Sequence, residues 1–403
     1  MLILFLIVPF FAFLYSIKNL EKKEYALVFV LFYGLFGYCQ DFSLVTSDIY
    51  RHGWEYVNGK DKDIIQIYLE GEALDIYLAG ATLLARPFTN NPKVFFALMG
   101  LVFGFLTYLC AVPLYKYWNG KKNYAFYIII FIFLSNISLV HFTGIRFYTG
   151  GLFLCACLIR YLIYKRKKYL YLTPLAILVH FGLLPVVGVI LIYFIFFKGI
   201  FGKEAFMKKI LILSFILSFM PLKSLTAGVV SDMESNAIQG KFAGYSQDRQ
   251  KDTNGAKDSI YREANNLFTN VCTYINRIGA LFFLLALLRG KLNGPIYPDF
   301  FKRLISFTFF IFSLAFVSSA AINSGSRMMN IAWVFGLLLF SIYLSRNFST
   351  KWIKWDRRLI LINIYSISFL FINAPRLVTP LIWIMNVPFI IYSGMDFKMP
   401  NLD

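Results

Sequence analysis

Apolar residues run along this chain in long, nearly unbroken stretches, and polar or charged residues gather in the gaps between them. Stretches of about 15 to 25 apolar residues match the length at which a helix crosses the hydrocarbon core of a bilayer. They predict thirteen helices, near residues 1–17, 25–40, 93–115, 124–140, 147–164, 169–181, 183–197, 208–222, 265–288, 303–323, 327–344, 358–374 and 378–393. A further stretch, 72–88, reads as a re-entrant helix that dips in and returns. The pattern predicts an all-α, polytopic transmembrane bundle of about 13 spans, with residues 1–403 forming a single transmembrane domain.

The gaps give the orientation. With Lys18, Lys22 and Lys23 in the cytoplasm and 72–88 returning to its own side, the other basic gaps alternate onto the same side: Lys116, Lys121 and Lys122; Lys165 to Lys168; Lys198, Lys203, Lys208 and Lys209; Arg289, Lys291, Lys302 and Arg303; and Arg346 to Arg358. Almost all of the net charge of +19 then falls inside, as the positive-inside rule requires. A nucleic-acid surface is not needed to explain the basic composition. The first run has no basic residue before Ile17 and no small-residue cleavage site, so it reads as a retained helix with an outer amino terminus.

At 59% hydrophobic residues, the composition excludes a soluble globular domain. The five cysteines, Cys39, Cys110, Cys155, Cys157 and Cys272, lie in or beside apolar runs, and no disulfide is expected. Cys155 and Cys157 would point roughly 200 degrees apart on a helix, too divergent for a shared metal site. Tyr and Trp gather near run ends, as with Trp54, Tyr56, Trp118, Tyr124, Trp352 and Trp355, where an interfacial belt accounts for them; Trp54 and Tyr56 could also stack on a sugar. Two outer segments, 41–72 and 223–264, exceed simple connectors. The second, rich in Ser, Asn, Gly, Asp and Lys, is either a mobile lid or a plain connector. No internal repeat marks the chain as a two-halved transporter.

Against this charge bias, Arg146, Arg327 and Arg376 fall at the outer ends of spans, and Arg277 lies deeper in the ninth. Each alone can be a helix anchor that snorkels to headgroups. Three on one rim fit a site for an anionic substrate, because guanidinium groups stay charged and present a planar fork of donors to phosphate oxygens. His180 precedes Gly182 and Pro185 near the same surface, and its imidazole could serve as a base or as a structural hydrogen-bonding group. Asp48, Arg51 and His52 follow the second span; Asp48 is the best carboxylate, as a general base or as the partner of a rim arginine. Glu70, Glu72 and Asp75 are weaker, since acids are common at solvated helix starts. Phosphate-binding Gly-rich loops, nucleophile elbows and His-Glu-x-x-His are missing, so neither cofactor nor zinc centre is indicated.

Four short motifs, Ser47-Asp48-Ile49-Tyr50-Arg51, Gly144-Ile145-Arg146-Phe147, Leu178-Val179-His180-Phe181-Gly182 and Gly325-Ser326-Arg327-Met328, occur in an order that resembles the EpsG-like branch of Wzy-type polysaccharide polymerases. The resemblance implies a fold of the membrane glycosyltransferase C class. It also implies polymerisation of undecaprenyl-diphosphate-linked oligosaccharides on the outer face of the bacterial inner membrane, with a flippase and a chain-length regulator as partners. It carries over to Asp48, Arg146, His180 and Arg327; Arg376 and Arg277 rest on the charge argument, and Arg51, His52 and Trp54 are further candidate substrate contacts. Phe147 and Gly182 depart from the family, where glutamine and serine are common. An O-antigen ligase or a lipid-linked oligosaccharide flippase would use a similar cationic site.

Overall fold

The structure, a computed structural model, describes residues 1–40, 48–58, 76–137, 139–197, 204–220, 273–285, 297–321 and 326–346, with 271, 287 and 384. The described residues are helical, with no strand among them. In chain order the helices are α1 (Leu2–Ile7), α2 (Pro9–Ser16), α3 (Lys23–Tyr38), α4 (Asp48–Asn58), α5 (Ile76–Ala85), α6 (Pro92–Tyr117), α7 (Tyr124–Asn136), α8 (Ile145–Tyr164), α9 (Lys167–Tyr171), α10 (Leu175–Val179), α11 (Leu184–Ile192), α12 (Glu204–Leu217), α13 (Thr273–Leu285), α14 (Phe301–Ala321) and α15 (Ser326–Arg346). Four of them, α6, α8, α14 and α15, are long and apolar enough to cross a membrane. Large apolar side chains such as Ile3, Leu84, Phe88, Phe196 and Phe282 are exposed on the exterior. In water such a surface would be costly; against lipid it is the expected one.

Several predicted spans are not single helices. Residues 1–17 split into α1 and α2 at Val8, where Pro9 cannot donate a hydrogen bond and begins a new helix instead. The run predicted at 169–181 is two five-residue helices, α9 and α10, joined by a turn through Thr173 and Pro174. That segment still climbs alongside α8: the Tyr169 ring lies 6.4 Å from Tyr164 at one end, and the His180 ring 5.6 Å from Phe147 at the other. Its backbone is satisfied within the turn, by Leu175 N–H to Leu172 O and Ala176 N–H to Thr173 O, each 3.1 Å. Irregular backbone at membrane depth survives where protein covers it and its hydrogen bonds are met. Predicted as 124–140, α7 stops at Asn136 and gives way to a 3₁₀ turn over Leu139–Gly144. In 72–88 the described helix α5 has 10 residues, a length of about 15 Å, half the hydrocarbon core.

α6 is the longest of the described elements, at 26 residues, and begins with Asn91 accepting a hydrogen bond from the Lys93 N–H and with Pro92 in its first turn. It packs on α3 by backbone contact. A Cβ on Gly37 would stand 2.2 Å from Phe96 O, and one on Gly100 would stand 2.2 Å from Tyr33 O. Small residues at such a crossing bring helices close where lipid offers no hydrophobic drive to associate.

The bundle has two chemically distinct ends. At one, the Tyr115 hydroxyl donates to Ile17 O (2.5 Å) and Lys122 donates to Lys18 O (3.1 Å) and pairs with Glu21. There too Lys116 reaches the Tyr164 hydroxyl (3.5 Å), and the Arg303 guanidinium grips Leu162 O at 2.7 and 3.0 Å. These contacts tie the basic ends of α2, α6, α7, α8 and α14 together, as the charge pattern requires. The starts of α8 and α15 lie at the other end.

Candidate functional site

Three of the candidate residues, Arg146, His180 and Arg327, come together at the first turn of α8. Gly150 and Gly151 let two neighbours approach this helix at once: a Cβ on Gly150 would meet Leu183 Cδ1 at 2.7 Å and Ala176 O at 3.2 Å, and one on Gly151 would meet Ile331 Cδ1 at 2.6 Å. One turn earlier, Phe147 becomes the meeting point. The Arg327 guanidinium lies over its ring, 5.6 Å from the centroid, and the buried His180 imidazole meets it edge-on at 5.6 Å. Arg327 also borders Gly144, where a Cβ would lie 3.8 Å from Nη1. Arg327 and His180, separated by nearly 150 residues of sequence, thus share one aromatic side chain.

Beside this contact lies a buried polar set. The Asn330 amide nitrogen is 3.0 Å from His141 Nε2 and donates to the Tyr148 hydroxyl at 3.2 Å, and the His141 and Tyr148 rings meet edge-on at 4.4 Å. This set locks the 3₁₀ turn Leu139–Gly144 against α15 and so fixes where α8 begins. Arg146 and Arg327 occupy the first turns of helices whose N-termini already carry positive partial charge. Cations there oppose the macrodipole, and an arriving anion would relieve both.

Arg146 acts toward α4. This helix is amphipathic: Ile49, Tyr50, His52 and Tyr56 are buried, while Trp54 and Glu55 are exposed. Its end is pinned by the Tyr56 hydroxyl donating to Thr89 O (2.6 Å), by Arg86 donating to Tyr56 O (3.0 Å), and by the Tyr56 ring stacking on Phe95 at 4.7 Å. His52 Nδ1 lies 3.0 Å from Glu55 Oε2. Burial holds the imidazole below its usual pKa despite the pull of Glu55, with Arg146 and Arg51 adding to the depression. Partial desolvation pushes the Glu55 carboxyl up, but the His52 hydrogen bond and the charges of His52, Arg51 and Arg146 outweigh it and hold the carboxyl below its usual range.

The other predicted residues divide. Arg51 is half-buried, Trp54 is exposed, and Asp48 opens α4. Arg277 has a different occupation: it donates to Ser218 O (3.0 Å) and Ser319 O (3.3 Å) and lies over the Tyr274 ring at 5.3 Å. Its two terminal nitrogens close the carbonyl ends of α12 and α14, while its buried Nε has no hydrogen-bond partner among the described residues. Arg376, the segment 223–264, Glu70, Glu72 and Asp75, the span 358–374, and the span 378–393 apart from Ile384 lie outside the described residues. Glu55 and Asn330 were not singled out by the sequence, and Phe147 stood out only as a departure from the family motif, because the role of each becomes visible only through its tertiary neighbours. Among the described residues, no group of three His, Cys, Asp or Glu side chains is placed to hold a metal ion.

No family model, curated protein or solved structure matches this chain.

Proposed function

We propose that the chain is a glycosyltransferase that joins undecaprenyl-diphosphate-linked oligosaccharide repeats into a surface polysaccharide at the outer face of the bacterial inner membrane. The observation that carries this reading is the pair of helix-start arginines, Arg146 and Arg327, at the end of the bundle opposite the lysine-rich one. The positive-inside rule assigns the lysine-rich end to the cytoplasm, which turns the arginines outward, toward substrates that have already been flipped.

In this reading the growing glycan on its lipid diphosphate is the donor. An acceptor sugar hydroxyl forms a bond to the anomeric carbon as the bond from that carbon to the diphosphate oxygen breaks, and the electron pair leaves on the diphosphate. Arg146 and Arg327 stabilise that developing charge, acting as preorganised cations. Phe147 holds the Arg327 guanidinium in place through its ring face. The exposed Trp54 offers a flat apolar surface for a sugar ring. A flippase would supply the repeats and a chain-length regulator would set the product size.

Deletion of the gene tests the reading against its rivals. Surface glycan reduced to single repeats supports a polymerase; repeats stranded on the inner side indicate a flippase, and long chains left on lipid indicate a ligase. Arg146→Ala or Arg327→Ala in folded protein should give the deletion phenotype, and full-length polymer from both would refute the assignment.

A further inference from the structure

The diphosphate site leaves the His52–Glu55 pair on α4 without a task, and its geometry is that of an oriented base. The two side chains are one helical turn apart, with Nδ1 3.0 Å from Oε2. The imidazole is 4% exposed and the carboxylate 53% exposed, so the ring is enclosed while its orienting group reaches solvent. Near neutral pH the depressed carboxyl is ionised and the depressed imidazole is neutral. An ionised carboxylate only accepts hydrogen bonds. The ring proton must therefore sit on Nδ1, which leaves the lone pair on Nε2, and no described residue hydrogen-bonds that nitrogen. Among the described residues, the charged groups acting on the ring are Glu55 and Arg51 from its own helix and Arg146 from α8, so the lone pair lies within electrostatic reach of an arginine assigned to the leaving group.

We propose that His52 is the catalytic residue that takes the proton from the acceptor sugar hydroxyl, and that Glu55 is its positioning residue. This rests on the polymerase reading. As the acceptor oxygen bonds to the anomeric carbon and the diphosphate departs with the electron pair of the broken bond, the hydroxyl proton moves to His52 Nε2. The imidazolium then returns that proton to water, so the ring is neutral for the next cycle. Glu55 fixes the tautomer that can accept and stabilises the imidazolium that forms, the division of labour seen wherever a carboxylate backs a histidine base.

Two measurements test this. The full chain, with nitrogen-15 in its histidine rings, is placed in nanodiscs of phosphatidylethanolamine and phosphatidylglycerol; the His52 signal is identified by its disappearance in His52→Gln. The expected spectrum at neutral pH shows the Nδ1–H tautomer for His52, and a mixture of tautomers in Glu55→Gln. A His52 ring protonated on Nε2 overturns the proposal, whatever reaction the protein performs. In cells, His52→Gln should lower polymer yield roughly 10²–10⁴-fold, Glu55→Gln should lower it in the same direction, and Glu55→Asp should recover part of the loss, with each variant folded by size-exclusion profile. Full-length polymer from folded His52→Gln and Glu55→Gln, alongside loss of polymer in Arg146→Ala, overturns the base assignment alone. Full-length polymer from Arg146→Ala and Arg327→Ala as well overturns the polymerase reading beneath it.

Discussion

Placing one methyl group on Gly37 probes how the site is held. Its Cβ would stand 2.2 Å from Phe96 O, against an ordinary carbon–oxygen approach of about 3.3–3.6 Å, so α3 and α6 must separate by about 1 Å. The obstacle is backbone, and no rotamer change can absorb it. A gap of that size forfeits between about a quarter and a half of each dispersion contact it opens, and overpacking of a close-fitted interface costs about 1–3 kcal/mol; a rigid obstacle puts Gly37→Ala at about 3 kcal/mol. The displacement also travels. Phe96 and Phe36 both meet the Phe142 ring edge-on, at 6.4 and 6.2 Å, and Phe142 lies in the turn that leads to Arg146, where a misplacement of about 1 Å can cost ~10²-fold in rate. Gly100→Ala meets Tyr33 O at the same 2.2 Å and should cost as much. Because one separation accommodates both methyl groups, the double variant should lose less than the sum, with a coupling of roughly 1 kcal/mol or more. Thermal stability in detergent, read by fluorescence-detected size exclusion, and polymer yield in cells are the assays. An unchanged midpoint for Gly37→Ala, or strict additivity in the double variant, would refute this packing.

Three further outcomes follow from other contacts. Phe147→Leu removes the ring beneath Arg327, worth about 0.5–2 kcal/mol, and should weaken undecaprenyl diphosphate binding by roughly 2- to 30-fold with little change in stability; equal affinity contradicts the role given to the ring. Arg277→Ala leaves Ser218 O and Ser319 O without their donor, at about 1–3 kcal/mol for each buried carbonyl, so the melting midpoint should drop while diphosphate affinity per folded molecule holds; the reverse pattern would return Arg277 to the substrate site. The folded pKa of His52 lies below its unfolded value of about 6.5, so its contribution to stability is present above that pH and is lost as pH falls through the folded value. Melting midpoints measured from pH 7.5 down to ~5 should fall more steeply in the wild type than in His52→Gln, and parallel curves would count against the buried neutral ring.

The long apolar runs made α6, α8, α14 and α15 legible, since about 20 apolar residues in sequence admit few structures other than a spanning helix. Charge placement anticipated that Lys18, Lys116, Lys122 and Arg303 share one end, because cations sort by topology before any packing is known. The breaks were harder. Apolar content continues across Val8–Pro9 and through Pro174, and hydropathy alone does not tell a continuous span from two short helices joined by a turn. Arg327 and His180 were legible as residues that lipid would not tolerate unaided, yet their shared contact was not, since Phe147 stood out only as a departure from the family motif and nothing in its run shows which side chains its ring meets. Arg277 was legible as a buried charge and a candidate ligand for substrate, but its bonds to two helix ends, Ser218 O and Ser319 O, could be read only from the fold. Glu55 escaped notice because His52, named from the sequence only as a candidate substrate contact, reveals its partner only once the fold is known.

Binding of undecaprenyl diphosphate to the purified chain in nanodiscs tests the central claim most directly. With a charged hydrogen bond worth about 1.5–3 kcal/mol, Arg146→Ala and Arg327→Ala should each weaken binding by roughly 10- to 150-fold, whereas Lys18→Ala and Lys122→Ala, at the opposite end of the bundle, should leave it unchanged. Equal affinity in the two arginine variants, or a loss as large in the lysine variants, would contradict the account.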